Sequence, residues 1–181
     1  MARDFLGWIE RRADKLRCLI GLNATEPLDP YKLAPAVGIE LRTPFQVQGM
    51  PHSWLDQLLE RDPSSWSAGT LHLPGQKAVV VLNPTHAETR KRATLMEEIA
   101  HVYLGHKPSS LIVIKGITAM RSYKKSQETQ AYWTGSAALV PLALMKQSQA
   151  TGIQREALAK HCGVSVDLIK FRETITKVKL N

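Results

Sequence analysis

The segment Lys77-Ala-Val-Val-Val-Leu82 constrains the fold of this chain most. Three consecutive β-branched valines between apolar neighbours fit a pleated, packed surface and read as a strand. Asn83-Pro84 ends it, and at Thr85 or His86 the pattern turns into a long helix that runs to Gly105. Just upstream, Trp66 to Leu73 reads as a second strand. Pro74-Gly75 between the two runs is a turn signal, so a hairpin is expected to deliver the chain into the long helix.

Helical patterns dominate elsewhere. Phe5, Ile9, Leu16 and Ile20 recur near helical spacing over residues 3–20, with Gly21 as the stop. Asp29-Pro30 opens a short helix that ends near Gly38, aspartate as the cap and proline at the first helical position. Ile39 to Thr43 alternates as a strand, and Ser53 to Arg61 reads as a short amphipathic helix. Residues 107–120 read as irregular or as a strand. Ser126 to Leu139 reads as a second long helix, and Pro141 opens a third. Residues 153–160 and 164–178 form a helix pair around Cys162-Gly163. The expected class is α+β, helix-rich with one small antiparallel sheet. The organisation is read as a main domain over residues 1–150 and a helix-turn-helix-like segment over residues 151–181 packed on it.

Composition narrows the function classes. The chain has 181 residues, 44% of them hydrophobic and 22% charged, which fits a globular protein and not a disordered one. No apolar run reaches the length of a membrane span, and the first residues mix both charge signs without an apolar signal core. Cys18 and Cys162 form no CxxC pair and no disulfide framework. A cytoplasmic location with no membrane partner is therefore expected. The net charge is +8, and residues 86–125 carry eight basic and three acidic groups. A solvated basic face is the default reading of that excess, and direct nucleic-acid binding is not expected.

The chemistry concentrates in Thr94-Leu-Met-Glu-Glu-Ile-Ala-His-Val-Tyr-Leu-Gly-His106. On a helix, Glu97 and His101 lie four apart, so they share one face and can converge on one ion. Zincins place two histidines at these positions and use the glutamate between them, here Glu98, as the general base for the attacking water. The motif here reads Glu-Glu-x-x-His in place of His-Glu-x-x-His. Such a triplet alone is also common on solvated helix faces.

The wider context resembles the ImmA/IrrE family of metallopeptidases. The resemblance rests on the strand ending in Asn83-Pro84, on Arg92 ahead of the motif, on the motif itself and on Leu104-Gly105-His106 after it. Gln127-Glu-Thr-Gln-Ala-Tyr-Trp-Thr-Gly-Ser-Ala-Ala-Leu-Val-Pro141 resembles the family's second active-site helix, and Thr151 to Ile175 its C-terminal helix-turn-helix-like segment. The resemblance implies a zincin-like fold and a cytoplasmic zinc-dependent endopeptidase. Its typical substrate is a helix-turn-helix repressor, cut to release genes of a mobile element or a stress response. By position it implies that Glu97, His101 and Glu128 hold the metal and that Glu98 is the general base. Gln130 lies near Glu128 as a competing match.

Glu97 is the departure from that pattern. A His/His/Glu site around a divalent ion carries a formal net charge of about +1, and a Glu/His/Glu site about zero, which weakens activation of water. Carboxylate-rich sites also shift preference from zinc toward harder ions such as Mn(II). Without metal, Glu97, Glu98 and Glu128 are expected to crowd like charges around His101, raising one carboxyl pKa and favouring protonated histidine. Three readings stay open: an altered metal site, a metal-free relic that binds a protein partner, and a purely structural Glu–His cluster.

The remaining candidates have bland readings beside functional ones. His106 is expected to cap the helix end facing the dipole. Tyr103 and Tyr132 can hydrogen-bond a scissile carbonyl but more simply pack, and Trp66 and Trp133 read as core. Arg90-Lys-Arg92 and Lys124-Lys125 line either a groove or a solvated face. In the C-terminal pair, Ser165 reads as a helix cap. Lys170, Arg172 and Lys177 are the residues that DNA reading would need.

Overall fold

A computed structural model describes residues 2–47, 50–71, 77–107, 110–114 and 117–180. Eight helices and five strands follow one another among the described residues. The first helix, α1, spans Ala2–Cys18, and α2 spans Pro30–Ala36. Strand β1 (Ile39–Arg42) leads to α3 (His52–Asp56), which widens into a π turn over Gln57–Arg61. Strands β2 (Ala68–Leu71) and β3 (Ala78–Leu82) precede α4 (Glu88–Tyr103). Strands β4 (Ser110–Ile114) and β5 (Ile117–Ser122) are followed by α5 (Lys125–Leu139), α6 (Leu142–Ala150), α7 (Arg155–Cys162) and α8 (Val166–Thr176).

The fold is α+β, as the patterning indicates. β2 and β3 pair antiparallel with Gly69 opposite Val81, and the Pro74-Gly75 turn expected between them lies outside the described residues. The three-stranded sheet, however, is mixed, in the order β1-β3-β2. β1 joins parallel to β3 with Leu41 opposite Val80, because a long crossover through α3 separates them. β4 and β5 form a second, antiparallel pair where the sequence alone suggests at most one strand.

The valine strand is packed as its composition predicts, with Ala78 through Val81 all buried. Asn83 then builds the turn into α4. Its side-chain oxygen accepts from the Thr85 backbone N–H at 2.9 Å, and its amide nitrogen donates to the carbonyls of Pro63 and Trp66. An Asx turn so anchored fixes the angle at which strand hands over to helix. The core lies between α4, α5 and α1, where Leu95, Met96, Ile99, Leu139, Ile9 and Leu16 form one cluster. Leu158, Cys162, Leu168 and Ile169 from the last helix pair join it.

Two buried arginines tie the ends of the chain to this core. Arg17 donates to Ala138 O at 2.7 Å. Arg172 of α8 is 0% exposed; it bonds Glu10 of α1 at 2.5 Å and the carbonyl of Val140 at 2.9 Å. Arg172 is therefore an interior ion pair and not a group for reading DNA. Lys170 lies 3.3 Å from Asp167, and Glu173 is buried against Arg155. Ser165 caps α8 by accepting from Leu168 N–H, as its position suggests, and Gly163 closes α7 at φ +64°.

Candidate metal centre

The elements carrying the motif are the two long central helices. α4 supplies Glu97, Glu98 and His101, and α5 supplies Glu128. They lie close together at Gly135. A Cβ there would sit 3.0 Å from Met96 O and 3.1 Å from Met96 C, so only glycine lets α5 lie on the backbone beside Glu97.

Glu97, His101 and Glu128 each offer one ligand atom, and the three atoms lie within 4.8 Å of one another. His101 is 2% exposed, and its Nε2 stands 3.2 Å from Glu128 Oε2. Tyr123 stacks on its ring at 3.7 Å. Glu128 keeps 44% of its side chain exposed, so the group opens to solvent on the α5 side. Three oxygen and nitrogen donors converging from two helices could hold a metal ion. A buried histidine engaged through both ring nitrogens is the usual arrangement for a ligand.

The electrostatics confirm half of the expectation made for the metal-free cluster. Burial first, then the negative charges of Glu128 and Glu98, push the Glu97 carboxyl up to about 7. His101 moves the other way. Burial and the neighbouring His106 ring lower it to about 3, so the histidine is neutral and not protonated as like-charge crowding suggests. In the interior, the loss of water outweighs carboxylates of which one is exposed and another is itself inclined to hold a proton.

Glu98 is held from the sheet. The Thr70 hydroxyl of β2 donates to Glu98 Oε2 at 2.5 Å, and Thr70 is buried. Sequence reading missed Thr70, since a threonine in a short strand carries no signal of this role. Tyr132, one turn beyond Glu128, is 37% exposed and packs on Phe171 at 4.8 Å. Burial and then the Glu97 charge raise its hydroxyl pKa, so it stays a donor. Tyr103, Trp66 and Trp133 pack against hydrophobic clusters.

Two other expectations change. His106 does sit at the end of α4, but its ring turns inward, 3.1 Å from His101 Nδ1 and 3.1 Å from Gln130 Oε1. Gln130 is thus beside the ligand group and not within it. Arg92 is a structural residue, donating to Leu28 O at 2.6 Å near Asp29, the cap of α2. Among the described residues no helix is long and apolar enough to cross a membrane.

A helix pair that brings Glu97, His101 and Glu128 to one point, with Glu98 alongside, forms a group that could hold a metal ion. Residues 57–174 match the IrrE N-terminal-like domain of peptidase family M78, and the chain belongs to that family. A comparison with curated proteins gave no significant match.

Proposed function

We propose that this chain is a metal-dependent endopeptidase with an altered, carboxylate-rich metal site formed by Glu97, His101 and Glu128. The carrying observation is the convergence of one ligand atom from each within 4.8 Å. A bound divalent cation supplies a Lewis acid that polarises the scissile carbonyl and acidifies water.

The chain's own residues do the rest. Glu98 takes the proton from the attacking water and passes it to the leaving amine, held in orientation by the Thr70 hydroxyl. The Tyr132 hydroxyl, protonated at neutral pH and close to Glu97, donates a hydrogen bond to the peptide carbonyl as charge develops on it. The family resemblance supports a cytoplasmic protein substrate of the helix-turn-helix repressor kind.

The presence of Glu97 where zincins carry histidine favours a second reading, a non-catalytic module that binds a protein partner through the same groove. Metal content by mass spectrometry, measured on protein purified without added metal beside a Glu97→His variant, separates the two. Near-stoichiometric zinc or manganese in the parent, with cleavage lost in Glu98→Gln, supports the peptidase. A metal-free parent beside a metal-loaded Glu97→His variant refutes it in favour of the binding module, whose partner binding is indifferent to chelator.

A further inference from the structure

Between Glu98 and Glu128 the chain carries no acidic residue. Residues 99–127 hold Lys107, Lys115, Arg121, Lys124 and Lys125, so this one stretch supplies five of the eight net positive charges of the whole chain. It is also the stretch that leaves the metal centre at His101 and returns to it at Glu128.

Both ends of that stretch are tied to the centre. On the way out, the His106 ring lies 3.1 Å from His101 Nδ1 and 3.1 Å from Gln130 Oε1, and Lys107 follows it. On the way back, the Tyr123 ring stacks on His101 at 3.7 Å, and Lys124 and Lys125 follow it. The Glu128 N–H donates to Lys124 O at 3.0 Å, so the two lysines stand one turn before a ligand residue at the start of α5. Lys107, Lys124 and Lys125 are all exposed. Among the described residues none of the three is in an ion pair, whereas Lys91 and Lys170 are held by Glu88 and Asp167.

The charges are therefore sorted, with carboxylates at the centre and unpaired cations on both chain segments that enter it. A lysine that serves to balance a carboxylate pairs with it, as Lys91 does; Glu128, the acid nearest to Lys124 and Lys125 in sequence, is engaged with His101 instead. A ligand with its negative charge at the centre meets the carboxylates and is repelled. A ligand with negative charges on either side of a neutral middle meets the lysines and is steered in. A nucleic acid fits this pattern poorly, because its phosphates recur at every nucleotide and face the carboxylates as well.

We infer that Lys107, Lys124 and Lys125 form a docking rim that selects a protein segment carrying acidic residues on either side of the part that lies at the metal centre. The inference rests on the peptidase reading for calling that segment a substrate, but binding to the rim is measured apart from cleavage and from metal uptake.

The test is fluorescence anisotropy of the full chain, in chelator and again with zinc, against short labelled peptides that share a neutral core and differ only in their flanks, glutamate, glutamine or lysine. The parent is expected to bind the glutamate-flanked peptide about tenfold tighter than the glutamine-flanked one at low salt, because each exposed charge pair adds only a few-fold, and the preference is expected to shrink as salt rises. The lysine-flanked peptide is expected to bind weakest. Lys107→Glu, Lys124→Glu and Lys125→Glu combined are expected to abolish the preference. A control that reverses Lys15, Lys146 and Lys160, exposed on α1, α6 and α7, makes the same change in net charge and is expected to keep the preference within about twofold. If the triple reversal does not fold, the three lysines changed to glutamine carry the same test with a smaller loss. Equal binding of the three peptides by the parent overturns the rim, as does an equal loss in the rim and control variants, which would mark net charge alone. Tighter binding of a DNA duplex that the rim variant loses also overturns it, in favour of a nucleic-acid surface. Metal uptake and cleavage without a flank preference overturn the rim and leave the peptidase; the expected preference in a parent that takes up no metal upholds the rim and overturns the peptidase.

Discussion

Replacing Glu97 by glutamine in the metal-free protein should stabilise it, and the amount should depend on pH in a defined direction. Burial and the charges of Glu128 and Glu98 raise the Glu97 carboxyl from its usual 4.5 to about 7. At about 1.4 kcal/mol per pH unit, ionising it in the folded protein costs at most about 3 kcal/mol more than in the unfolded chain. Between those two values the folded state binds more protons than the unfolded one, so stability falls as pH rises and the loss is complete above about pH 7. His101 contributes in the opposite sense: its folded value of about 3 lies below its usual 6.5, so its contribution is present above pH 6.5 and lost as pH falls. That contribution is common to both proteins and cancels in the comparison. Urea unfolding in chelator across this pH range should therefore show Glu97→Gln gaining on the parent by about 2 to 3 kcal/mol between acidic and mildly alkaline buffer. Saturating zinc should reverse the order, since it stabilises the parent by mass action. A stability difference that is constant with pH refutes the reasoning.

Other perturbations test the scaffold. Glu10→Ala strands Arg172 in the interior without its carboxylate, and calorimetry should show a loss of about 3 to 5 kcal/mol and a melting temperature lower by roughly 10 °C; a loss under about 1 kcal/mol contradicts the buried pair. Gly135→Ala puts a methyl 3.0 Å from the Met96 carbonyl oxygen, and should cost about 1 to 3 kcal/mol in denaturant and weaken zinc binding by separating α4 from α5. If both stay at parent values, the two helices are not in close contact there. Gly105→Ala must hold a Cβ at φ +66° and should cost about 1 kcal/mol, with Gly105→Asn costing less; equal losses in the two variants argue against the left-handed cap.

The fold was legible wherever local chemistry decides the outcome. A run of valines closed by Asn-Pro, an Asp-Pro helix start and a Ser cap each act within a few residues, and β3, α2 and α8 follow them closely. The parallel pairing of β1 was not legible. A four-residue strand carries no record of its partner, and the crossover that brings it to β3 is long enough to allow either sense. The second strand pair was hidden for a related reason: Ser110–Ile114 and Ile117–Ser122 are short and lack strong turn residues beyond Gly116.

At the centre, helical spacing was enough to put Glu97 and His101 on one face, and only the resemblance placed Glu128 opposite them. Spacing could not decide the charge of His101. Counting carboxylates around it predicts a proton, because each negative charge favours the imidazolium. The folded protein removes water from the ring, sets a second histidine against it, and leaves Glu128 half in solvent, where its field is screened. Desolvation then wins. That balance depends on burial, which the sequence does not state at any single position, and on His106, whose ring direction is set by the backbone of Gly105 and not by its own spacing from the motif. The contacts of Thr70, His106 and Gln130 are invisible to motif reading for the same reason: each reaches its partner through a turn or from another element.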